Sequence, residues 1–529
     1  MRKYLPILIS LLVLSFTGCS VAGDDSGYDA NNGNNLYNNV NNVNNVNNWN
    51  NNVNNTTNVN NTNNVNNTST TNNVNNTNNV NNLTPEELQE LLCLDATSVD
   101  TTFFMSADDS GSQAQPVYAR HLIETGISNT FYAAPREYEF LNYYTFSYEP
   151  APMGELALRP ELKYDAMTGE YNLLVGVVSH HIPITQRRPF NFTFSVDTSG
   201  SMSGDAMNNV RHTLRAIAAQ MREGDIVSMV NWSTSQSYPL DGHIISGPND
   251  PTFVSAINNL IPGGGTDLHA GLAAAYQLAH ENYMLEGVNR VFLLSDGGAN
   301  VGVTDAALIA QETELEEGDG IFMIGVGTAT SYYYHELMDT VTDLGKGAYV
   351  YIPDQSEAEK MFSADRILSN VEVAALDVRL QVTFPPMFII SEFHGEQISV
   401  NPEDVKKQHL APNDAMLYHS NLLYCADDSE DDGASFTFRV TWTDPSTHMP
   451  MEANLEMTLS QMLTGGTAHL EKATILVEYA RLISNADNLT ATAWGEVRTA
   501  LMGRMNAYNE LVEDADIIEV LNVLSSVHY

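Results

Sequence analysis

Basic side chains are scarce. Only 23 lysines and arginines stand against 65 aspartates and glutamates, so the 529-residue chain carries a formal net charge of −42. Such a surface repels phosphate backbones and anionic membranes, which argues against nucleic acid as a partner, and it attracts divalent cations. Cysteine is nearly absent: Cys19, Cys93 and Cys425 are the whole set. With no CxxC pairing among them, a cysteine-based zinc site is not expected. Beyond the N-terminus no segment reaches the roughly 18 apolar residues of a membrane-spanning helix. Signatures of catalysis are missing too. His335-Glu336 is followed by Asp339 where the zincin pattern HExxH needs its second histidine. Gly263–Gly265 lacks the GK[ST] ending of a phosphate loop, and nothing marks a base beside Ser199. The acidic run Asp427, Asp428, Glu430, Asp431 and Asp432 lacks EF-hand spacing and reads as a solvated loop. The chain is not expected to be an enzyme.

The first residues read as an export signal. Arg2 and Lys3 are followed by an apolar stretch, Leu5 to Phe16, too short to span a bilayer, and then by Thr17, Gly18 and Cys19. A cysteine directly after a small residue at this point resembles the bacterial lipobox, although Phe16 takes a place that is usually aliphatic. The resemblance implies cleavage after residue 18 and a diacylglycerol on Cys19, which would be the only membrane attachment. Ser20, rather than an acidic residue, then favours the outer membrane or cell surface. Residues 31–82 are almost entirely Asn, broken by Val and Thr in NNV and NNT triplets. So little apolar surface cannot offset the entropy of ordering, so 19–82 is expected to be a disordered stalk. An alternative is a prion-like segment, since Asn ladders favour cross-β stacking. As a coil, 20–82 would span roughly 45 Å on average, and about 200 Å drawn straight.

Order is expected from Leu83. Residues 83–185 read as an extension with helices at 84–92, 116–124 and 135–144, and a hairpin whose arms, 161–164 and 170–179, flank the turn DAMTG. Over 186–372, short apolar runs alternate with amphipathic helices: FTFSV (192–196), IVSMV (226–230), VFLLS (291–295), IFMIGV (321–326) and AYVYI (348–352). Continuous apolar strands separated by helices predict an α/β fold with a doubly wound, mainly parallel sheet covered on both faces. From Val373 to residue 462 the period becomes two, as in Leu376, Val378, Leu380, Val382 and Phe384, then Phe436, Phe438, Val440 and Trp442, then Leu455, Met457 and Leu459; half-buried antiparallel strands follow. Strands before and after the α/β unit are expected to pair in one sandwich with that unit inserted between them. Residues 463–529 return to helical spacing. A disulfide between Cys93 and Cys425 is chemically open to an exported chain, but their spacing does not require one.

In such sheets ligands bind at the carboxyl ends of the strands. There stand Asp197-Thr198-Ser199-Gly200-Ser201-Met202 after the first α/β strand, Thr266 in the loop PGGGTD, and Asp296 opening DGG after VFLLS. Hydroxyls and carboxylates are hard ligands suited to Mg²⁺, with Mn²⁺ or Ca²⁺ as alternatives. Tyr332, Tyr333 and Tyr334 are expected on the same edge. DTSGSM resembles the DxSxS element of von Willebrand factor A domains, with Thr266 and Asp296 in the places of the other two metal-site residues. DGGANVGVTD, IFMIGVGTA and KGAYVYIPDQSEAEKMF, together with PVYARHLIETG and PREYEFLNYYTF upstream, resemble exported bacterial lipoproteins of the YfbK-like kind. The resemblance implies a metal-ion-dependent adhesion site. Ser199, Ser201 and Thr266 would ligate the metal, Asp197 and Asp296 would act through water and by holding the hydroxyls, and a protein ligand would offer a carboxylate. The expectation is an exported, lipid-anchored, Mg²⁺-dependent binding protein. Its rivals are an accessory subunit that recruits an enzyme, and a structural envelope spacer.

Overall fold

The computed structural model describes residues 92–527, apart from 94, 95, 97, 127–134, 167, 298–319, 330–346, 427–432 and 485–488. Cys19, the Asn-rich stretch, most of the helix expected at 84–92, the DGGANVGVTD turn beyond Gly297, Tyr332–Tyr334, His335-Glu336 and the acidic run at 427–432 lie outside the described residues.

In chain order the N-terminal part gives β1 (Thr101–Ser106), α1 (Ala114–Glu124), α2 (Glu137–Tyr143), β2 (Ala157–Asp165) and β3 (Glu170–Val178). The α/β unit follows with β4 (Phe190–Asp197), α3 (Asp205–Gln220), β5 (Ile226–Trp232), β6 (Gln236–Ile244), α4 (Pro251–Asn258), α5 (Leu268–Glu281), β7 (Val288–Ser295), β8 (Phe322–Gly327), β9 (Tyr349–Tyr351), α6 (Gln355–Met361) and α7 (Ile367–Val371). Then come β10 (Ala375–Phe384), β11 (Phe388–Phe393), β12 (Gln397–Ser399), β13 (Gln408–Leu410), β14 (Ala415–Tyr424), β15 (Ser435–Thr443) and β16 (Pro450–Thr458). The helices α8 (Leu459–Leu463), α9 (Ala468–Ser484), α10 (Ala491–Val512) and α11 (Ala515–Ser526) close the chain.

The inserted unit is built on one sheet in the order β6-β5-β4-β7-β8-β9, parallel throughout except for β6. Every residue of β4, β7 and β8 is buried, as strands covered on both faces must be. The five expected strands are all present. The sixth, β6, was not expected: it is an edge strand of mostly exposed residues with Pro239 in its middle, so it carries almost no apolar signal. Helix α3 forms because Ala206, Met207, Val210, Leu214 and Ile217 recur at helical spacing and are all buried. Each such aliphatic side chain contributes roughly 1.5–3 kcal/mol on burial. Asp250 starts α4: Pro251 takes the first turn, and the Asp250 carboxylate accepts the N–H groups of Thr252 and Phe253.

Strands from both sides of the insert interleave in a two-sheet sandwich. One sheet runs β12-β1-β10-β15-β16 with β13 on β10; the other runs β11-β14-β3-β2. Between them lie Leu380, Val382, Phe436 and Phe438 from the first sheet and Tyr171, Leu173, Met416 and Tyr418 from the second. Removing one of the larger side chains, as in Phe438→Ala, is expected to cost about 3–5 kcal/mol. The outer face of the second sheet is covered by α9, which also packs on α2. That cover explains why β3 and β14 are buried on both faces instead of alternating. β1, which lay outside the expected elements, pairs with β10 and β12. Leu459, expected to close the last strand, instead opens α8, because Thr458 and Gln461 form a capping box that turns the chain there.

Two further ties matter. Cys93 and Cys425 form a disulfide, fastening the N-terminal end of the described chain to the end of β14. Arg120 of α1 pairs with both Glu357 of α6 and Glu519 of α11. Lys360 of α6 reaches Glu519 at 3.2 Å and the Tyr143 hydroxyl of α2 at 2.7 Å. The C-terminal helices are thereby fastened to the last helices of the inserted unit. No helix among the described residues is long and apolar enough to cross a membrane.

Candidate metal centre

Strand β4 carries Asp197 to the carboxyl end of the sheet, where the chain turns sharply through Thr198 to Met202. One Asp197 oxygen, Oδ1, accepts the Ser199 N–H at 2.8 Å; the other, Oδ2, accepts the Ser295 hydroxyl at 2.8 Å from the end of β7. The carboxylate therefore holds two loops at once, and it is fully buried. Ser199 Oγ and Ser201 Oγ then lie 3.1 Å apart. Thr198 stitches the turn to its neighbours. Its N–H and hydroxyl both donate to the Trp232 carbonyl, at 2.8 and 3.0 Å, while its own carbonyl accepts the Gly263 N–H at 2.7 Å. The Gly200 N–H donates to the Gly264 carbonyl at 3.2 Å, bringing the glycine loop against the DxSxS turn. Gly264 has a φ of +93°, a conformation that a residue with a Cβ adopts only under strain. Below the loop, Gly271 of α5 permits close packing, since a Cβ there would meet the Trp232 indole at 2.4 Å.

Exposure rises outward across the site. Asp197 and Ser199 are buried, Asp296 is half-buried, and Ser201 and Thr266 face solvent. Burial pushes the Asp197 carboxyl above its ordinary value, and the nearby Asp296 charge adds to this, against the pull of the Ser199 and Ser295 hydrogen bonds.

The donor set fits a small hard cation. Ligands at 2.0–2.1 Å on neighbouring corners of an octahedron are about 2.9 Å apart, close to the 3.1 Å between the two serine hydroxyls. Both Asp197 oxygens already accept hydrogen bonds, which suits a group that orients the hydroxyls more than one that ligates directly. Among the described residues no three His, Cys, Asp or Glu side chains form a metal cage. A cation here would be held by hydroxyls and water, with Asp197 and Asp296 behind them.

Asp197, Ser199 and Ser201 are thus brought together with hydrogen bonds to show it. Asp296 is placed near them by its charge on Asp197. Thr266 stands two residues beyond Gly264 and is exposed. Sequence reasoning passed over Ser295, whose hydroxyl also accepts the Gly297 N–H at 3.2 Å. Its position as the last residue of an apolar strand, directly before Asp296, was the available signal. It also passed over Thr198, whose role depends on two neighbouring loops.

Residues 191–364 match the von Willebrand factor type A domain family. The inserted unit is a von Willebrand factor type A domain. The chain is homologous to the uncharacterized protein YfbK of Escherichia coli strain K12, with 29% identity over 267 residues, covering 50% of this chain and 44% of that protein. It is also similar to inter-alpha-trypsin inhibitor heavy chain H2 of Sus scrofa, 23% identical over 280 residues, covering 49% of this chain and 29% of that one. The matched region therefore spans less than half the length of each of these relatives. Among solved structures, a von Willebrand factor type A protein from Catenulispora acidiphila aligns with 71% of this chain and 91% of its own, at 16% identity and a TM-score of 0.43.

Proposed function

We propose that the von Willebrand factor A domain is a divalent-cation-dependent module that binds a protein, and that it is displayed outside the cytoplasm on a lipid-anchored stalk. The observation that carries the binding half is the Asp197 carboxylate, fully buried and holding Ser199 so that the Ser199 and Ser201 hydroxyls lie 3.1 Å apart. Ser199, Ser201 and Thr266 would hold Mg²⁺, with Asp197 and Asp296 behind them. A cation so held keeps much of its charge and offers a coordination position to a carboxylate of the ligand. The chain's own residues perform the remaining work. Asp197 keeps Ser199 in place, Ser295 anchors Asp197, and Thr198 locks the three loops together, so that little ordering is left to the moment of binding. The module is proposed to bind and not to catalyse.

The second half rests on Gly18-Cys19 and the Asn-rich stretch, and the Cys93–Cys425 disulfide supports it, since such bonds persist in oxidising compartments. Mass spectrometry of the membrane fraction should find a diacylated Cys19; an unmodified cysteine or cleavage elsewhere overturns the anchor. For the cation, calorimetric titration of Mg²⁺ into the full chain should give one site that Thr266→Ala weakens at least tenfold, about 1.4 kcal/mol. Equal affinity in both proteins removes Thr266 from the site, and no binding in either ends the metal reading. Capture of a protein in Mg²⁺ but not in EDTA then tests adhesion, and recovery of an enzyme would favour the accessory role.

A further inference from the structure

Thr266 follows the loosest backbone in the candidate metal centre. From Ile261 to Asp267 the chain belongs to no helix or strand, and Gly263, Gly264 and Gly265 stand in a row before the threonine. Glycine loses more conformational freedom on ordering than any other residue, so Thr266 depends on what fastens its neighbours. On its far side, the Asp267 carboxylate caps α5 by accepting the Ala270 N–H at 3.1 Å. On its near side each glycine has one tie. The Gly263 N–H donates to the Thr198 carbonyl at 2.7 Å, and the Gly264 carbonyl accepts the Gly200 N–H at 3.2 Å. The Gly265 N–H donates to the Thr234 hydroxyl oxygen at 2.7 Å. Of the three ties, the one next to Thr266 is the one made by a side chain, so it depends on which residue stands at 234.

Thr234 lies in Ser233-Thr234-Ser235, the turn that joins β5 to β6, where the Ser233 N–H donates to the Ser235 carbonyl at 3.1 Å. The turn leaves directly from Trp232, whose carbonyl receives both Thr198 bonds, so it starts from a point fixed to the DxSxS turn. It also presses closely on the glycines. A Cβ on Gly264 would come within 3.0 Å of Thr234 Oγ1 and 3.1 Å of Ser233 Oγ, and one on Gly265 within 3.2 Å of Thr234 Oγ1. Thr234 itself is exposed and belongs to neither hydrophobic core. What its hydroxyl orders is the glycine loop.

We propose that Thr234 is a positioning residue of the metal centre: its hydroxyl holds the Gly265 N–H and thereby sets where Thr266 stands for the cation. It acts through Thr266 and is not itself a ligand. A hydroxyl already held in place leaves less ordering to the moment of binding, so loss of the tie is felt in cation affinity. This role rests on the assignment of Thr266 proposed above.

The test is calorimetric titration of Mg²⁺ into the full chain and its variants. Thr234→Val keeps the branched shape without the acceptor and should weaken Mg²⁺ about three- to tenfold, the range for one hydrogen bond. Thr234→Ser keeps the hydroxyl and should stay within about twofold of the native chain. In the Thr266→Ala background Thr234→Val should change nothing further, because the residue it acts through is gone. In EDTA, hydrogen exchange over residues 261–267 should be faster in Thr234→Val than in the native chain or Thr234→Ser, a readout that needs no cation. If Thr266→Ala weakens Mg²⁺ and Thr234→Val does not, the positioning role is overturned and the metal reading stands. Equal weakening by valine and serine, or an additive loss in the double variant, overturns it as well. Unaltered exchange in Thr234→Val overturns the tie itself. A native chain that binds no Mg²⁺ ends the metal reading and this role with it.

Discussion

Two regions of the molecule treat buried carboxylates in opposite ways. Where the C-terminal helices meet the inserted unit, Glu357 and Glu519 are both met by Arg120, and Lys360 adds a second cation to Glu519. Farther along α9, Arg481 pairs with Glu137 and Glu392, and His394 reaches Glu137 at 2.7 Å. At the DxSxS turn, Asp197 is more deeply buried, and its oxygens are met by a backbone N–H and a hydroxyl, with the Asp296 charge acting on it. With 65 acidic against 23 basic residues many carboxylates lack a basic partner, and full burial is what sets Asp197 apart. The first pattern is structural, and the second leaves room for a cation that the chain does not itself supply.

The largest break in this comparison is expected from Arg120→Met. It would strand Glu357, whose side chain is almost fully buried, and should cost about 3–5 kcal/mol in denaturant unfolding. A loss below about 1 kcal/mol would show that the network contributes little. Next in size is the acid limb. Burial alone would raise the Glu137 carboxyl, but Arg481 and His394 pull it down to about 2. A folded value below the unfolded one gives stability that is present above about pH 4.5 and lost as pH falls toward 2, on the order of a few kcal/mol. Glu137→Gln should flatten that limb, and an unchanged profile would remove Glu137 from it.

The metal rim should respond to what the helix network ignores. At one hundred times its Kd, Mg²⁺ is expected to add about 2.7 kcal/mol of stability. Thr266→Ala, exposed and outside the core, should leave the cation-free melting curve within about 0.5 kcal/mol and remove about half of that gain or more. Mg²⁺ that stabilises both proteins equally would contradict the assignment. The smallest effect concerns Asp414, a second carboxylate with no ion pair among the described residues. Burial lifts it to about 6, against the Ala415 N–H and the distant Arg366 charge. Here the sign reverses: the contribution is present below about pH 3.8 and lost as pH rises through 6. Asp414→Asn should therefore gain about 1 kcal/mol at pH 7, since the amide must still be buried, and nothing at pH 4. Mg²⁺ should not change that difference.

Much of this was legible from local pattern. Residues 192–196, 291–295 and 321–326 are apolar without a break because both faces of their sheet are covered, and Leu380, Val382 and Phe384 alternate because one face of theirs is not. DTSGSM could be read because its chemistry is contiguous, and the structure brings Asp197, Ser199 and Ser201 together there. What escaped notice depends on distant partners. TTFFMS shows no alternation and becomes β1 by pairing with Phe384 to Leu380, almost 280 residues away. QSYPLDGHI becomes β6 through backbone bonds to β5, which leave no mark on side-chain polarity. Ser295 looks like the end of a strand until the fold lays it against Asp197. Two cysteines 332 residues apart likewise carry no sign that their Cα atoms will lie 5.4 Å from each other.

That bond changes how the molecule carries tension. Because Cys93 and Cys425 are joined, residues 94–424, the whole von Willebrand domain among them, form a closed covalent ring. A pull between the two ends of the chain passes from one sulfur to the other and bypasses the ring, so about 1,200 Å of contour stays hidden until the bond is reduced. A pull between the N-terminus and the metal rim instead divides between two arms, one through β1 to β3 and one back from β14 through β10. The rim can yield only when both arms give way. A tether attached before Cys93 would thus hold the binding face by two strands of covalent chain instead of one.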